Sequence, residues 1–140
     1  MKFARLLLAV VLVSCASGCV QSGPEIVPIA GTVTFNGQAV PNVRIIFQPA
    51  PGRMSWAVSD ASGRFALEYD AEHKGAKVGT HTVYVVDEGA ITDPTAIMAG
   101  AKSQRRAPEL AQALAKYAPD KSTLTVEVKK ADRSFQLKLD

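Results

Sequence analysis

The segment Ile29-Ala30-Gly31-Thr32-Val33-Thr34-Phe35-Asn36-Gly37, followed after a short gap by Val43-Arg44-Ile45-Ile46-Phe47-Gln48, decides the fold. Side chains of an extended chain alternate between two faces. Val33 and Phe35 therefore share one face and Thr32 and Thr34 the other. Asn36-Gly37 is a pair that tolerates positive φ and is the strongest short hairpin signal. Val43, Ile45 and Phe47 again share a face, opposite Arg44 and Gln48, with Ile46 breaking the polar side. Pro49-Ala50-Pro51-Gly52 stops this second strand.

The same pattern runs on toward the C-terminus. Met54 to Ser59 is a third strand, and Asp60-Ala61-Ser62-Gly63 a tight turn. Phe65, Leu67 and Tyr69 alternate with Ala66, Glu68 and Asp70 in a fourth. Residues 71–79 read as a charged, glycine-containing loop. His81, Val83 and Val85 mark a fifth strand, residues 123–129 a sixth, and Phe135, Leu137 and Leu139 the last. Seven short strands, each with one apolar face, argue an all-β sandwich built from antiparallel layers. The insertion 89–118 departs from this, being too long for a hairpin loop. Pro108 at a helix start, Leu110, Leu114 and Tyr117 at helical spacing, and Pro119 beyond them predict one short helix over 107–117. Arg105-Arg106 reads as a solvated basic pair.

The N-terminus reads as an address. Lys2 and Arg5 precede the apolar run Leu6 to Val13, too short for the ~20 residues of a membrane span but long enough for the core of a secretory signal. Leu12-Val13-Ser14-Cys15 resembles a bacterial lipobox, in which the cysteine is acylated after cleavage before it. Residues 1–14 are then the signal peptide and Cys15 the lipidation site, with Ala16-Ser17-Gly18-Cys19 as the alternative. Two or more acyl chains give a stable membrane anchor. Ala16 after Cys15 favours the outer membrane by resemblance to bacterial sorting rules. Residues 15–28, small, polar and proline-containing, read as a flexible tether, leaving 29–140 as one domain.

Composition narrows the chemistry. Without Lys2 and Arg5 the net charge falls from +3 to +1, no footprint for nucleic acid. Two Cys and two His supply neither a disulfide framework nor a recognisable metal motif. Asp60 offers one carboxylate where calcium needs 6–8 oxygens, so its turn role is preferred. His81 falls by parity on the Val83 and Val85 face, as a core histidine. Gly37 and Gly63 stand where turns need φ > 0. Ser55, Ser59 and Ser62 have no recognisable catalytic partners, and no catalytic residue or cofactor is assigned. Trp56 and Tyr84 are the candidate ligand contacts, since an exposed Trp can stack on a sugar or anchor a protein.

Three motifs in order resemble the carboxypeptidase regulatory-like domain. They are Gly31-Thr32-Val33 with Asn36-Gly37-Gln38-Ala39-Val40-Pro41, then Ser59-Asp60-Ala61-Ser62-Gly63-Arg64-Phe65, then Val78-Gly79-Thr80-His81-Thr82-Val83. Residues 116–139 look like the ending of small bacterial lipoproteins that carry it. His81 replaces the family's usual Tyr, Val78 its Pro, and Arg133 an expected Asn. The resemblance implies a transthyretin-like, seven-stranded Greek-key sandwich. The lipobox, the sandwich pattern and the lack of a recognisable catalytic constellation lead to the expectation of a non-catalytic, lipid-anchored module for adhesion, assembly or scaffolding in the cell envelope, in the cell membrane or outer membrane and facing the periplasm or exterior. Its partner would be an envelope protein or, alternatively, a glycan or small ligand. Transthyretin-like hydrolases end in Tyr-Arg-Gly-Ser, whereas this chain ends in Gln136-Leu137-Lys138-Leu139-Asp140.

Overall fold

A computed structural model describes residues 23–90 and 106–140, with Thr95 and Met98 between them. The signal segment, Cys15, Cys19 and most of the stretch 91–105 lie outside the described residues. The elements in order are β1 (Ile26–Val27), β2 (Ile29–Phe35), β3 (Gln38–Ala39), β4 (Val43–Pro49), β5 (Ser55–Val58), β6 (Arg64–Ala66), β7 (Ala76–Lys77) and β8 (Gly79–Asp87). A 3-10 turn (Glu88–Ala90), helix α1 (Pro108–Lys116), β9 (Thr125–Val128) and β10 (Asp132–Lys138) follow. The architecture is all-β and sandwich-like, with one short helix described in full.

One sheet has β2 at its centre, β10 on one side and β3 and β6 sharing the other. The second runs β5-β4-β8-β9, antiparallel throughout. Alternation places Val33, Phe65 and Leu137 of the first sheet and Val43, Ile45, Phe47, Val83 and Val85 of the second in one buried cluster. Phe135 stands edge-on to both Phe47 (centroids 5.7 Å apart) and Phe65 (6.5 Å), linking the layers. Burial of this apolar surface is the main stabilising term.

Four features depart from the sequence reading. β10 pairs parallel with β2, not antiparallel, with Asp132 opposite Ile29 and Lys138 opposite Thr34. The short connection from β9 delivers β10 beside the beginning of β2, so both strands run the same way. Second, Ile26–Val27, expected in the tether, pairs with β7, and Val78 donates its N–H to the Glu25 carbonyl (2.9 Å). The ordered domain therefore begins before residue 29. Gly75 permits this pairing: a Cβ there would lie 2.0 Å from the Val27 oxygen.

Third, the fourth predicted strand serves both sheets. Arg64–Ala66 pairs with β2, but Trp56 and Glu68 exchange two backbone hydrogen bonds (3.0 and 2.9 Å). The chain crosses between layers at Leu67, which is buried. Fourth, Arg106 is not solvated. Its side chain is only 10% exposed. It binds the Asp87 carboxylate at 2.9–3.1 Å and donates to the carbonyls of Pro41 (2.7 Å) and Asn42 (3.1 Å). Helix α1 begins two residues later, buries Ala113 and Leu114, and ends where the Tyr117 carbonyl accepts the Val85 N–H. It thus occupies the place beside β8 that β9 leaves vacant.

The turns are set by local chemistry. Asn36 (φ 49°) and Gly37 (φ 78°) both take the left-handed conformation in the hairpin after β2. Asp60 accepts the N–H groups of Ser62 (2.8 Å) and Arg64 (2.9 Å) on one carboxylate oxygen and the Arg64 guanidinium on the other. The Arg64 backbone bond, chiefly, holds its carboxyl below the ordinary 3.8, despite opposing desolvation. A depressed folded-state value stabilises above the unfolded value and loses that stabilisation as pH falls through the folded one. Asp60→Asn is expected to lower the urea midpoint at about pH 6, with the gap to the parent narrowing as the pH is lowered through the carboxylate range. A gap that stays the same size as the pH is lowered would contradict this account of the turn.

Candidate functional site

β5 is built inside out. Its buried positions hold the small residues Ser55 and Ala57, while Trp56 and Val58 face solvent. Met54, Trp56 and Val58 are 45%, 39% and 41% exposed. Register accounts for this orientation. Ala57 lies opposite Ile45 and Ser55 opposite Phe47, so the bulk of β4 fills the interior and leaves room only for small partners. A one-residue slip would bury Trp56 but would break its two bonds to Glu68 and turn Ser55 and Ala57 outward. Clustered large apolar residues on a surface mark interaction sites, whereas single ones carry no message.

The cluster continues across the sheet. Ile46 on β4 lies directly opposite both Trp56 on β5 and Tyr84 on β8. These three residues form one row on the outer face, its two aromatic ends roughly 10 Å apart at the usual strand spacing. Tyr84 is half-buried. The next row holds Val58, Arg44 and Val86. The Arg44 guanidinium sits 5.0 Å from the Trp56 ring centroid and pairs with Glu88. Cation–π contact and ion pair together fix the indole and the arginine in place. On the other side of the aromatic row lie Gln48 and Thr82. The site is thus a flat apolar strip with one stacked cation and a polar border.

Trp56 and Tyr84, singled out from sequence, are thus brought onto one face. The reading missed Ile46 between them, Arg44 over the indole and the exposed Met54 and Val58. One signal could have shown them: between Met54 and Ser59 every large apolar residue shares one parity and every small residue the other.

The other candidates belong to the framework. Ser59 Oγ accepts the Val43 N–H (3.1 Å) and donates to the Val40 carbonyl (2.8 Å), stapling the loop between β3 and β4. Ser55 is fully buried, and its Oγ has no partner among the described residues. His81 is fully buried against Phe47, with Nε2 at 2.7 Å from the Lys77 carbonyl. His81 Nδ1 is buried with no hydrogen-bond partner among the described residues. His73 contacts Asp70 at 2.8 Å in an exposed turn. Desolvation there raises the Asp70 value, but bonds from the His73 ring and from the backbone of Glu72 and His73 bring it below normal. Among the described residues, no group of three or more His, Cys, Asp or Glu is placed to hold a metal ion, and no helix is long and apolar enough to cross a membrane.

Compared with protein-family models, curated proteins and solved structures, the chain matches none. The motif resemblance described above therefore rests on its residues alone.

Proposed function

We propose that this protein is a non-catalytic docking module of the cell envelope, held to a membrane by acylated Cys15, or by Cys19 instead, and engaging an envelope protein through the outer face of the β5-β4-β8 sheet. The observation that carries this reading is the Trp56–Ile46–Tyr84 row with Met54 and Val58 exposed beside it. Trp, Tyr and Arg are the residue types that dominate binding energy at protein interfaces. Arg44 stacked on Trp56 pre-orders two of them, which limits the entropy lost on association. The lipobox-like Leu12-Val13-Ser14-Cys15 and the order of the three turn motifs support the address and a seven-stranded, transthyretin-like Greek key.

Trp56→Ala is expected to leave the melting temperature nearly unchanged, since the side chain lies outside the core. A central interface anchor is worth about 2 kcal/mol or more, which is roughly 30-fold in affinity. Crosslinked envelope capture, quantified per partner, should therefore fall by about that factor for Trp56→Ala and Tyr84→Ala but not for Lys138→Ala on the opposite sheet. Equal capture by all three would sink the reading. The anchor is tested separately by intact mass with and without globomycin; unmodified Cys15 and Cys19 would remove it.

A glycan is the second reading, favoured by two aromatic rings on one flat face bordered by the amide of Gln48 and the hydroxyl of Thr82. Aromatic stacking on sugar rings needs such a platform. A glycan array in which Trp56→Ala abolishes a specific signal would select it over a protein partner.

A further inference from the structure

The chain holds three methionines, Met1, Met54 and Met98. Met1 lies outside the described residues. Met98 belongs to the 89–118 insertion and is 90% exposed. Met54 is 45% exposed and stands beside the aromatic row. Methionine ordinarily fills irregular gaps in a core, yet neither of these two joins the buried cluster. The position of Met54 follows from its neighbours. Ser55 after it is buried, and the Arg53 guanidinium before it lies 5.7 Å from the Tyr69 ring centroid. The register that sets Val58 opposite Arg44 and Trp56 opposite Ile46 carries Met54 to the level of Gln48. Met54, Trp56 and Val58 therefore form one exposed column down the outer face.

A thioether on that face has a chemistry that its hydrocarbon neighbours lack. Its sulfur lone pair attacks the terminal oxygen of a hydroperoxide. The O–O bond breaks, an S–O bond forms, and the leaving oxygen takes up the proton of the attacked hydroxyl and departs as water or an alcohol. The sulfur loses two electrons and the peroxide gains them. The product, methionine sulfoxide, is polar, and reductases return it to the thioether. Its oxygen is a strong acceptor that loses its water when a partner covers the strip, and burying such a group without a donor is costly. We propose that Met54 is a redox-modification site of this face: oxidation by a hydroperoxide weakens docking and reduction restores it. The proposal rests on the docking function assigned to the strip. Met54 lies outside the core, so the change acts at the surface and leaves the fold standing.

In the test, isolated envelopes carrying the full chain are treated with graded hydrogen peroxide. Sulfoxide at Met54 and Met98 is quantified by peptide mass spectrometry, and partner capture is measured by crosslinking as for Trp56→Ala. Both methionines are expected to oxidise, with the melting temperature of the purified protein unchanged. Capture should fall at least about five-fold in step with Met54 sulfoxide, and treatment with methionine sulfoxide reductases should restore it. Met54→Leu should keep its capture after peroxide, whereas Met98→Leu should lose it as the parent does. Capture that stays level while Met54 oxidises, or that Met54→Leu fails to protect, would overturn the proposal, as would a Met54 that resists peroxide. In each of those cases the untreated protein still captures its partner in a Trp56-dependent way, so the docking reading stands. An absence of Trp56-dependent capture before peroxide would remove both.

Discussion

Arg106→Ala is expected to cost about 3 kcal/mol of stability, at the lower end of the range for removing one partner of a buried ion pair. The wild-type guanidinium satisfies the Asp87 carboxylate and two backbone carbonyls, and both side chains are nearly sealed from solvent (10% and 16% exposed). Alanine leaves Asp87 charged and largely desolvated. It also strands the Pro41 oxygen, which lies in the loop that Ser59 staples from the other side. For a domain of this size the loss corresponds to a fall in melting temperature of roughly 10–20 °C. Arg106→Lys should recover only part of it, because one ammonium cannot reach three acceptors in the same fork. In Asp87→Asn the same Arg106→Ala change should cost distinctly less, and a double-mutant cycle measures that coupling. A loss below about 0.5 kcal/mol would place Arg106 among ordinary surface residues.

Gly31→Ala is expected to be about as damaging, through contact with backbone. A Cβ at residue 31 would lie 2.0 Å from the carbonyl oxygen of Phe135 and 2.7 Å from its carbon. Neither is the tip of a flexible side chain, so β10 must move bodily. Phe135 is paired with Gly31, just past the irregularity between Asp132 and Phe135, and the parallel ladder to Lys138 follows from that point. Overpacking commonly costs about 1–3 kcal/mol, and a clash between two main chains belongs at or above the top of that range. Gly37→Ala is the control: its φ of 78° strains alanine, but nothing lies within 4 Å. Its cost should be nearer about 1 kcal/mol. Urea denaturation of the three proteins ranks them. Amide exchange in Gln136 to Lys138 should quicken in Gly31→Ala alone. A Gly31→Ala protein as stable as the parent would contradict the close approach of β10.

Particular residues show what the sequence made legible. β2, β4 and β8 announce themselves because apolar residues recur at alternate positions, even though Ile46, Tyr84 and Val86 interrupt the polar side, and the interior takes that recurring set. The helix was legible for a similar reason, from a proline start and three apolar residues at helical spacing. The direction of β10 was not, since alternation is identical for parallel and antiparallel pairing and only the path of the chain decides. Nor did local pattern reveal Arg106, whose partners stand 19 and 64–65 residues away. β5 is the instructive case. Alternation of Met54, Trp56 and Val58 with Ser55, Ala57 and Ser59 does not by itself say which set faces inward. The interior opposite was already filled by Ile45 and Phe47, so the small residues went in and the large ones were left facing water.

That inversion is the basis of the functional account, and site-specific photocrosslinking tests it most directly. A photoreactive phenylalanine analogue is placed at residue 56 and, in a separate strain, at exposed residue 138 on the other sheet, and intact cells are irradiated. A discrete adduct from position 56, lost in Tyr84→Ala and absent from position 138, is the result predicted. No adduct at 56, or the same adducts from both positions, would contradict the claim that this face is where the protein meets its partner.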